Sequence, residues 1–315
     1  TMIRLALVLP CYNEKAVLPL SIPKLQSLFD TLQQTKSISD DSFMLFVDDG
    51  SRDATWSIIE ANAKEHSNIR GISLAHNSGH QNAILAGMMT ARELCDAVIT
   101  IDADIQDDLN AIIRMVELCE EGYDIVYGVK VSRKADPLLK RLSAQAFYKM
   151  QNYMGVKAVY NHADFRLMSR RALDFLAAYP ERNIYLRGMI PMLGLRQTTV
   201  DDVISEREAG KSKYNLMRML SLAANGIISF STRPIQLILT MGGIFMLVGI
   251  TMAIYILASF FSGQALAGWT SLMISLWIIG GAIMLSLGVV GMYVAQIYTE
   301  VKRRPLYHIA VKAGF

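Results

Sequence analysis

Short apolar runs that stop abruptly at polar clusters alternate, along the first half of the chain, with stretches whose apolar residues recur every three or four positions. Residues 3–10, 43–47, 69–74 and 98–101 read as strands. Helices are expected over about 16–32, 54–64, 79–94 and 109–119, the last with Asp107 or Asp108 as its N-cap. This alternation argues for an α/β fold, a doubly wound and mostly parallel sheet flanked by helices. Ligands bind such sheets beyond the carboxyl ends of the strands. The polar clusters Tyr12-Asn13-Glu14, Asp48-Asp49-Gly50-Ser51 and Asp102-Ala103-Asp104 all sit there, so they are expected to converge on one crevice.

Further along, Leu139, Leu142, Ala146, Phe147, Met150 and Met154 form an apolar stripe with Lys140, Arg141 and Lys149 off it. A basic amphipathic helix over about 138–154 suits a membrane surface, the alternative being a core-facing helix. Residues 214–233 repeat the pattern and lead into a block, 234–299, that contains no Asp, Glu, Lys or Arg. As helices, 237–261 and 272–294 would extend about 37 and 34 Å, against a hydrocarbon core of about 30 Å. Both can cross. Arg233 precedes the first span and Lys302-Arg303-Arg304 follow the second, which by the positive-inside rule puts both ends in the cytoplasm. The expected organisation is a catalytic domain over 1–213, a juxtamembrane helix over 214–233, a two-helix membrane domain over 234–299 and a basic tail over 300–315. Gly242-Gly243, Gly249, Gly280-Gly281, Gly288 and Gly291 would let helices approach closely within one chain or between subunits.

Hydrophobic residues make up 52% of the 315, and the formal net charge is +3. Four of the 31 basic residues and one of the 28 acidic ones lie beyond Arg233, so the first 233 residues carry 27 of each. A neutral domain is not a nucleic-acid binder by charge. Cys11, Cys95 and Cys119 are odd in number and lack Cys-x-x-Cys spacing, which fits buried thiols in a reducing compartment. The start, Thr1-Met2-Ile3-Arg4-Leu5, runs straight into a strand, so no cleavable signal peptide is expected.

Two carboxylates one residue apart at a strand end, Asp102 and Asp104, can hold a hard cation that keeps positions open for phosphate oxygens. The bland alternative is a capping role for the following helix. Asp48 or Asp49 suits hydrogen bonds from ribose hydroxyls or a base imide. No Gly-x-Gly-x-x-Gly follows the first strand and no Gly-x-x-x-x-Gly-Lys-Ser/Thr occurs, which demotes hydride transfer and P-loop chemistry. His80 and His162 read as hydrogen-bonding residues, since His76-x-x-x-His80 has no third ligand nearby.

Several motifs are held in common with one family. They are Leu9-Pro10-Cys11-Tyr12-Asn13-Glu14, Val47-Asp48-Asp49-Gly50-Ser51, Asn77-Ser78-Gly79-His80-Gln81, Asp102-Ala103-Asp104-Ile105-Gln106-Asp107, Asp164-Phe165-Arg166, Arg187-Gly188 and Arg207-Glu208-Ala209-Gly210-Lys211-Ser212-Lys213-Tyr214. With them the chain closely resembles the family-2 glycosyltransferases of GT-A fold, in particular the polyprenyl-phosphate glycosyltransferases related to dolichyl-phosphate mannose synthase and bactoprenol glucosyltransferase. The resemblance implies a nucleotide-sugar site at Pro10, Tyr12, Asn13, Glu14, Asp48, Asp49, Ser51, Asn77, Gly79, Asp102, Ala103 and Gln106. It implies Mg2+ or Mn2+ held by Asp104 with Asp102, and an acceptor phosphate held by Arg207, Ser212 and Lys213. Asp164 and Arg166 join Asp104, Arg207 and Lys213 as catalytic residues, with Asp164 as general base or as a positioning group. His76 stands where relatives carry Arg, a change that bears on donor contacts.

The reaction so implied is attack of a polyprenyl-phosphate oxygen, undecaprenyl phosphate for instance, on the anomeric carbon of a nucleotide sugar. Inversion and release of nucleoside diphosphate follow, and UDP-hexose is favoured over GDP-mannose as donor. The resemblance also implies a homo-oligomer, a tetramer, in the inner membrane, serving cell-envelope glycan or lipid modification. A processive polysaccharide synthase needs a Gln-x-x-Arg-Trp motif, and none of Trp56, Trp269 and Trp277 is preceded by it. A non-catalytic membrane scaffold with a relict sugar-nucleotide site is the reading from another class.

Overall fold

The computed structural model describes residues 2–130, 162–182, 184–203 and 268–315, together with scattered helical positions between 235 and 254. The chain divides into two compact units. One, comprising Thr1–Lys149, Lys157–Asn215 and Arg304–Phe315, is built on an eight-stranded sheet.

Its first strands, β1 (Leu5–Cys11) and β2 (Phe43–Asp48), are buried along their whole length. Continuous burial is what a parallel strand covered on both faces requires, and it explains why these runs read as unbroken apolar stretches. Helices α1 (Leu18–Gln34), α2 (Thr55–Glu65), α3 (His80–Ala91) and α4 (Leu109–Glu120) alternate with β1, β2, β3 (Ile69–Leu74) and β4 (Ala97–Thr100). These four strands pair in parallel in the order β4-β1-β2-β3. The remaining strands are β5 (Ile125–Lys130), β6 (His162–Ser169), β7 (Gln197–Asp202) and β8 (Ile309–Ala313). Between β6 and β7 lie α5 (Arg170–Ala177), α6 (Leu186–Met189) and a 3-10 turn at Ile190–Leu193. Because β6 runs antiparallel to both β4 and β5, and β8 antiparallel to β3, the sheet is mixed.

Helix α3 lies close on the sheet because Gly87 has no side chain. A Cβ there would fall 2.4 Å from Val8 Cγ1 and 2.8 Å from Val47 Cγ2. Gly87→Ala is therefore expected to lower stability by about 1–3 kcal/mol, partly offset by the better helix propensity of Ala. Denaturant melting of the variant beside the parent checks this.

Three expectations need correction or placement. Residues 309–313, assigned to a basic tail, instead form edge strand β8 against β3. The Arg70 guanidinium fixes the chain end there, 4.1 Å from the Phe43 ring centroid and 5.6 Å from that of Phe315. Asp108, not Asp107, caps α4, its side chain accepting from the Asn110 backbone N–H at 2.9 Å. The helices expected over 138–154 and 214–233, most of the first span at 237–261, and Arg207, Ser212 and Lys213 lie outside the described residues.

The other unit, Met150–Val156 with Leu216–Arg303, contains α7 (Trp269–Lys302). Its stretch Ile278–Lys302 has mean hydropathy 2.1, and among the described residues it is the one helix long and apolar enough to cross a membrane. Leu276, Ile279, Ile283, Met284 and Leu285 on successive faces are all more than half exposed. A helix apolar all round and uncovered by protein suits lipid.

Candidate active site

The ends of β1, β2 and β4 gather the acidic clusters. Burial pushes the Cys11 thiol well up, and the negative charges of Glu14, Asp48 and Asp102 push it further, so residues from all three strand ends act on one point. Asn13 stands at φ 54, its N–H donating to Ser51 Oγ at 2.9 Å and its Oδ1 accepting from the Arg52 N–H at 2.9 Å. The β1 and β2 loops are thus stitched together.

Asp48 and Asp49 are almost wholly buried. Asp48 accepts from the Ser51 N–H and from the Ser73 hydroxyl. Asp49 accepts from the backbone N–H groups of Ser78, at 2.7 Å, and Gly79, at 3.0 Å. Burial raises the Asp49 carboxyl, and these two bonds pull it back. Gly50 makes the turn possible, with φ 64 and a virtual Cβ only 2.6 Å from the His76 carbonyl carbon. Asp49 therefore shapes the loop that precedes α3, on which Asn77 is exposed, while Asp48 ties the turn after β2 to strand β3.

That loop delivers His80 to the centre of the crevice. Its Nε2 lies 3.3 Å from Asp164 Oδ2 and 3.7 Å from Asp102 Oδ1. Asp164, at the start of β6, is also bound by Arg166 Nη2 at 2.6 Å and by Arg187 through Nη2 at 3.1 Å and Nε at 3.3 Å. Thr100 Oγ1 donates to the Asp164 carbonyl. Burial opposes ionisation of Asp164, but the His80 hydrogen bond and the two guanidinium groups hold its carboxyl well below the usual range. For His80 burial works against the charged form, and the Asp164 hydrogen bond with the Asp102 charge outweighs it, raising the imidazole. Arg166 is buried beside Asp164, and its Nη1 has no hydrogen-bond partner among the described residues.

Asp102 sits at the rim with 53% of its side chain exposed. Desolvation raises its carboxyl, opposed by His80 and reinforced by Asp164 and Asp104. Ala103 is buried between the two acids, while Asp104 and Gln106 are partly exposed. The next residue, Ile105, has φ 45, a left-handed conformation costing a β-branched residue about 1–3 kcal/mol. Pro10 is buried at the end of β1, and Tyr12 and Glu14 are partly exposed beyond it.

The model of glycosyl transferase family 2 matches residues 6–176, which include every strand end just described up to β6. The chain belongs to glycosyl transferase family 2. Among its relatives, the glycosyltransferase YkoT of Bacillus subtilis (strain 168), named as uncharacterized, is 44% identical over 98% of this chain and 91% of its own. The bactoprenol glucosyl transferase of Shigella phage SfII is 36% identical over 97% of each chain. A solved mannosyltransferase, PcManGT from Pyrobaculum calidifontis in complex with GDP-Man and Mn2+, is 17% identical over 95% of this chain and 85% of its own, with TM-score 0.48.

Among the described residues of this glycosyltransferase, no group of three or more His, Cys, Asp or Glu side chains is arranged to hold a metal ion alone. Asp102 at the rim and Asp104, partly exposed, nevertheless offer two hard oxygen donors. Such a pair fits Mg2+ or Mn2+, whose remaining positions go to water and phosphate oxygens. His80 and Arg187 are the residues whose place at the site sequence reasoning missed. Arg187 stood in a shared motif without a role, and a separation of 84 positions between His80 and Asp164 hid their pairing.

Proposed function

We propose that this glycosyltransferase is a membrane-bound, inverting enzyme that moves a hexose from a UDP-sugar to undecaprenyl or another polyprenyl phosphate. The observation that carries the reading is likeness along nearly the whole chain to a bactoprenol glucosyl transferase, apolar C-terminal region included.

The acceptor phosphate has its second pKa near roughly 6, so at neutral pH it is largely dianionic and needs little help from a base. The harder problem is charge. At 4 Å and an effective dielectric of 20, each like-charge pair costs about 4 kcal/mol, so cations must face both anions. Asp104, with Asp102, would hold Mg2+ or Mn2+, which when bound neutralises the departing diphosphate. Arg207 and Lys213 would face the acceptor phosphate, with Ser212 donating a hydrogen bond. Asp164 is too strongly acidic to accept a proton near neutrality, which favours a positioning role: it orients His80 and Arg187 towards the donor. Tyr12, Glu14 and the Asn77 loop would bind the nucleotide; Asp49 would keep that loop in shape, and Asp48, Asn13 and Ser51 would hold the β1 and β2 loops beside it.

Two spans with both termini in the cytoplasm, in the inner membrane, and a tetramer complete the proposal. The test is a donor panel with purified protein, undecaprenyl phosphate and Mg2+ or Mn2+, reading labelled sugar in the organic phase. Transfer from a UDP-hexose is expected. Failure with every donor would return the protein to the scaffold reading.

A further inference from the structure

Beyond Asp104 the same loop carries Asp107, which is 5% exposed, and facing it at the end of β7 is Asp202, which is fully buried. Asp202 Oδ1 accepts from the Asp108 backbone N–H at 2.8 Å, but among the described residues its Oδ2 has no hydrogen-bond donor. A buried carboxylate oxygen left without a donor is destabilising, and native structures rarely leave one so. The Asp107 side chain lies close enough to Asp202 for the two carboxyl groups to bond once they hold a proton between them. Two carboxyl groups can make that bond only when one carries a proton. Among the described residues the other charges acting on Asp107 are Asp102 on its own loop and Lys130 on β5, whose Nζ lies 3.9 Å from Asp107 Oδ1. Lys130 is also the residue registered opposite Asp202 in the β5–β7 ladder.

We propose that Asp107 and Asp202 share one proton and thereby clamp the loop bearing Asp102 and Asp104 onto β7, which makes them positioning residues for the donor site. This rests on the reading of that loop as donor-binding. The left-handed Ile105, two residues before Asp107, is a conformation that must be held from outside, and the clamp is adjacent. Burial, with the charges of Asp102 and Asp202, raises the Asp107 carboxyl to about 8. A folded value above the unfolded one of about 3.9 means that the stability from the shared proton is complete below about pH 4 and is lost as pH rises through about 8.

The experiment compares the full chain with Asp107→Asn and Asp107→Ala, measuring melting temperature and sugar transfer from pH 6 to 9. An amide donates to Asp202 at every pH. The parent is expected to lose melting temperature and turnover towards pH 9. Asp107→Asn should lose neither and should keep turnover at pH 7 within about threefold. Asp107→Ala, which strands the buried acceptor, should fall at least about tenfold. Equal pH slopes in parent and Asp107→Asn, or an Asp107→Asn turnover as low as that of Asp107→Ala, overturns the clamp. Differing melting slopes in a protein that transfers no sugar would uphold the shared proton and sink the glycosyl-transfer reading instead.

Discussion

Asp104→Ala is expected to abolish sugar transfer at every pH, with turnover down by about a thousandfold or more. Removing one preorganised group that meets developing charge typically costs a hundredfold to a thousandfold, and here one of the two proposed cation ligands disappears. The side chain is partly exposed, so the fold should survive with a change of less than about 1 kcal/mol. Melting measured beside initial rates, across a titration of Mn2+, separates the two effects. Transfer within tenfold of the parent at saturating metal would remove Asp104 from the mechanism.

Asp164→Ala is expected to damage fold and activity together. It strips from Arg166, whose guanidinium is buried at 1% exposure, its one hydrogen-bonded acidic partner among the described residues, and leaves an uncompensated charge. Breaking a buried pair in this way costs about 3–5 kcal/mol. His80 and Arg187 lose their anchor in the same step. Asp164→Asn separates positioning from base catalysis. A base that must take up a proton would lose turnover with an unchanged melting temperature, whereas a positioning group loses both in parallel. The pH dependence is a second check. Because the folded carboxyl lies well below its unfolded value of about 3.9, its stabilising effect is constant above that value and is lost only as pH falls through the depressed one. No acidic limb from Asp164 should appear in the rate between pH 5 and 8.

A large part of the architecture can be read from the order of residues. Buried parallel strands must be apolar on both faces, so 3–10, 43–47, 69–74 and 98–101 stand out as runs, and each stops where polar chemistry begins. The charge-free block at 234–299 is equally plain, since a bilayer tolerates few ionised side chains. The shared motifs added the reaction class.

What no local pattern revealed is which polar groups meet. Asp164 and His80 lie 84 residues apart, Asp108 and Asp202 94, and each pair forms only when separate strand ends are brought to one edge of the sheet. Strand β8 was hidden for the same reason, because edge pairing with β3 depends on where residues 309–313 come to rest. Periodicity reports the burial of a segment's own face, a property of neighbouring residues, whereas ionisation and hydrogen bonding depend on distance in space. Tertiary structure alone therefore decided that Asp164 is a tightly bound anion, that His80 carries raised basicity into the crevice, and that Asp107 faces a buried partner.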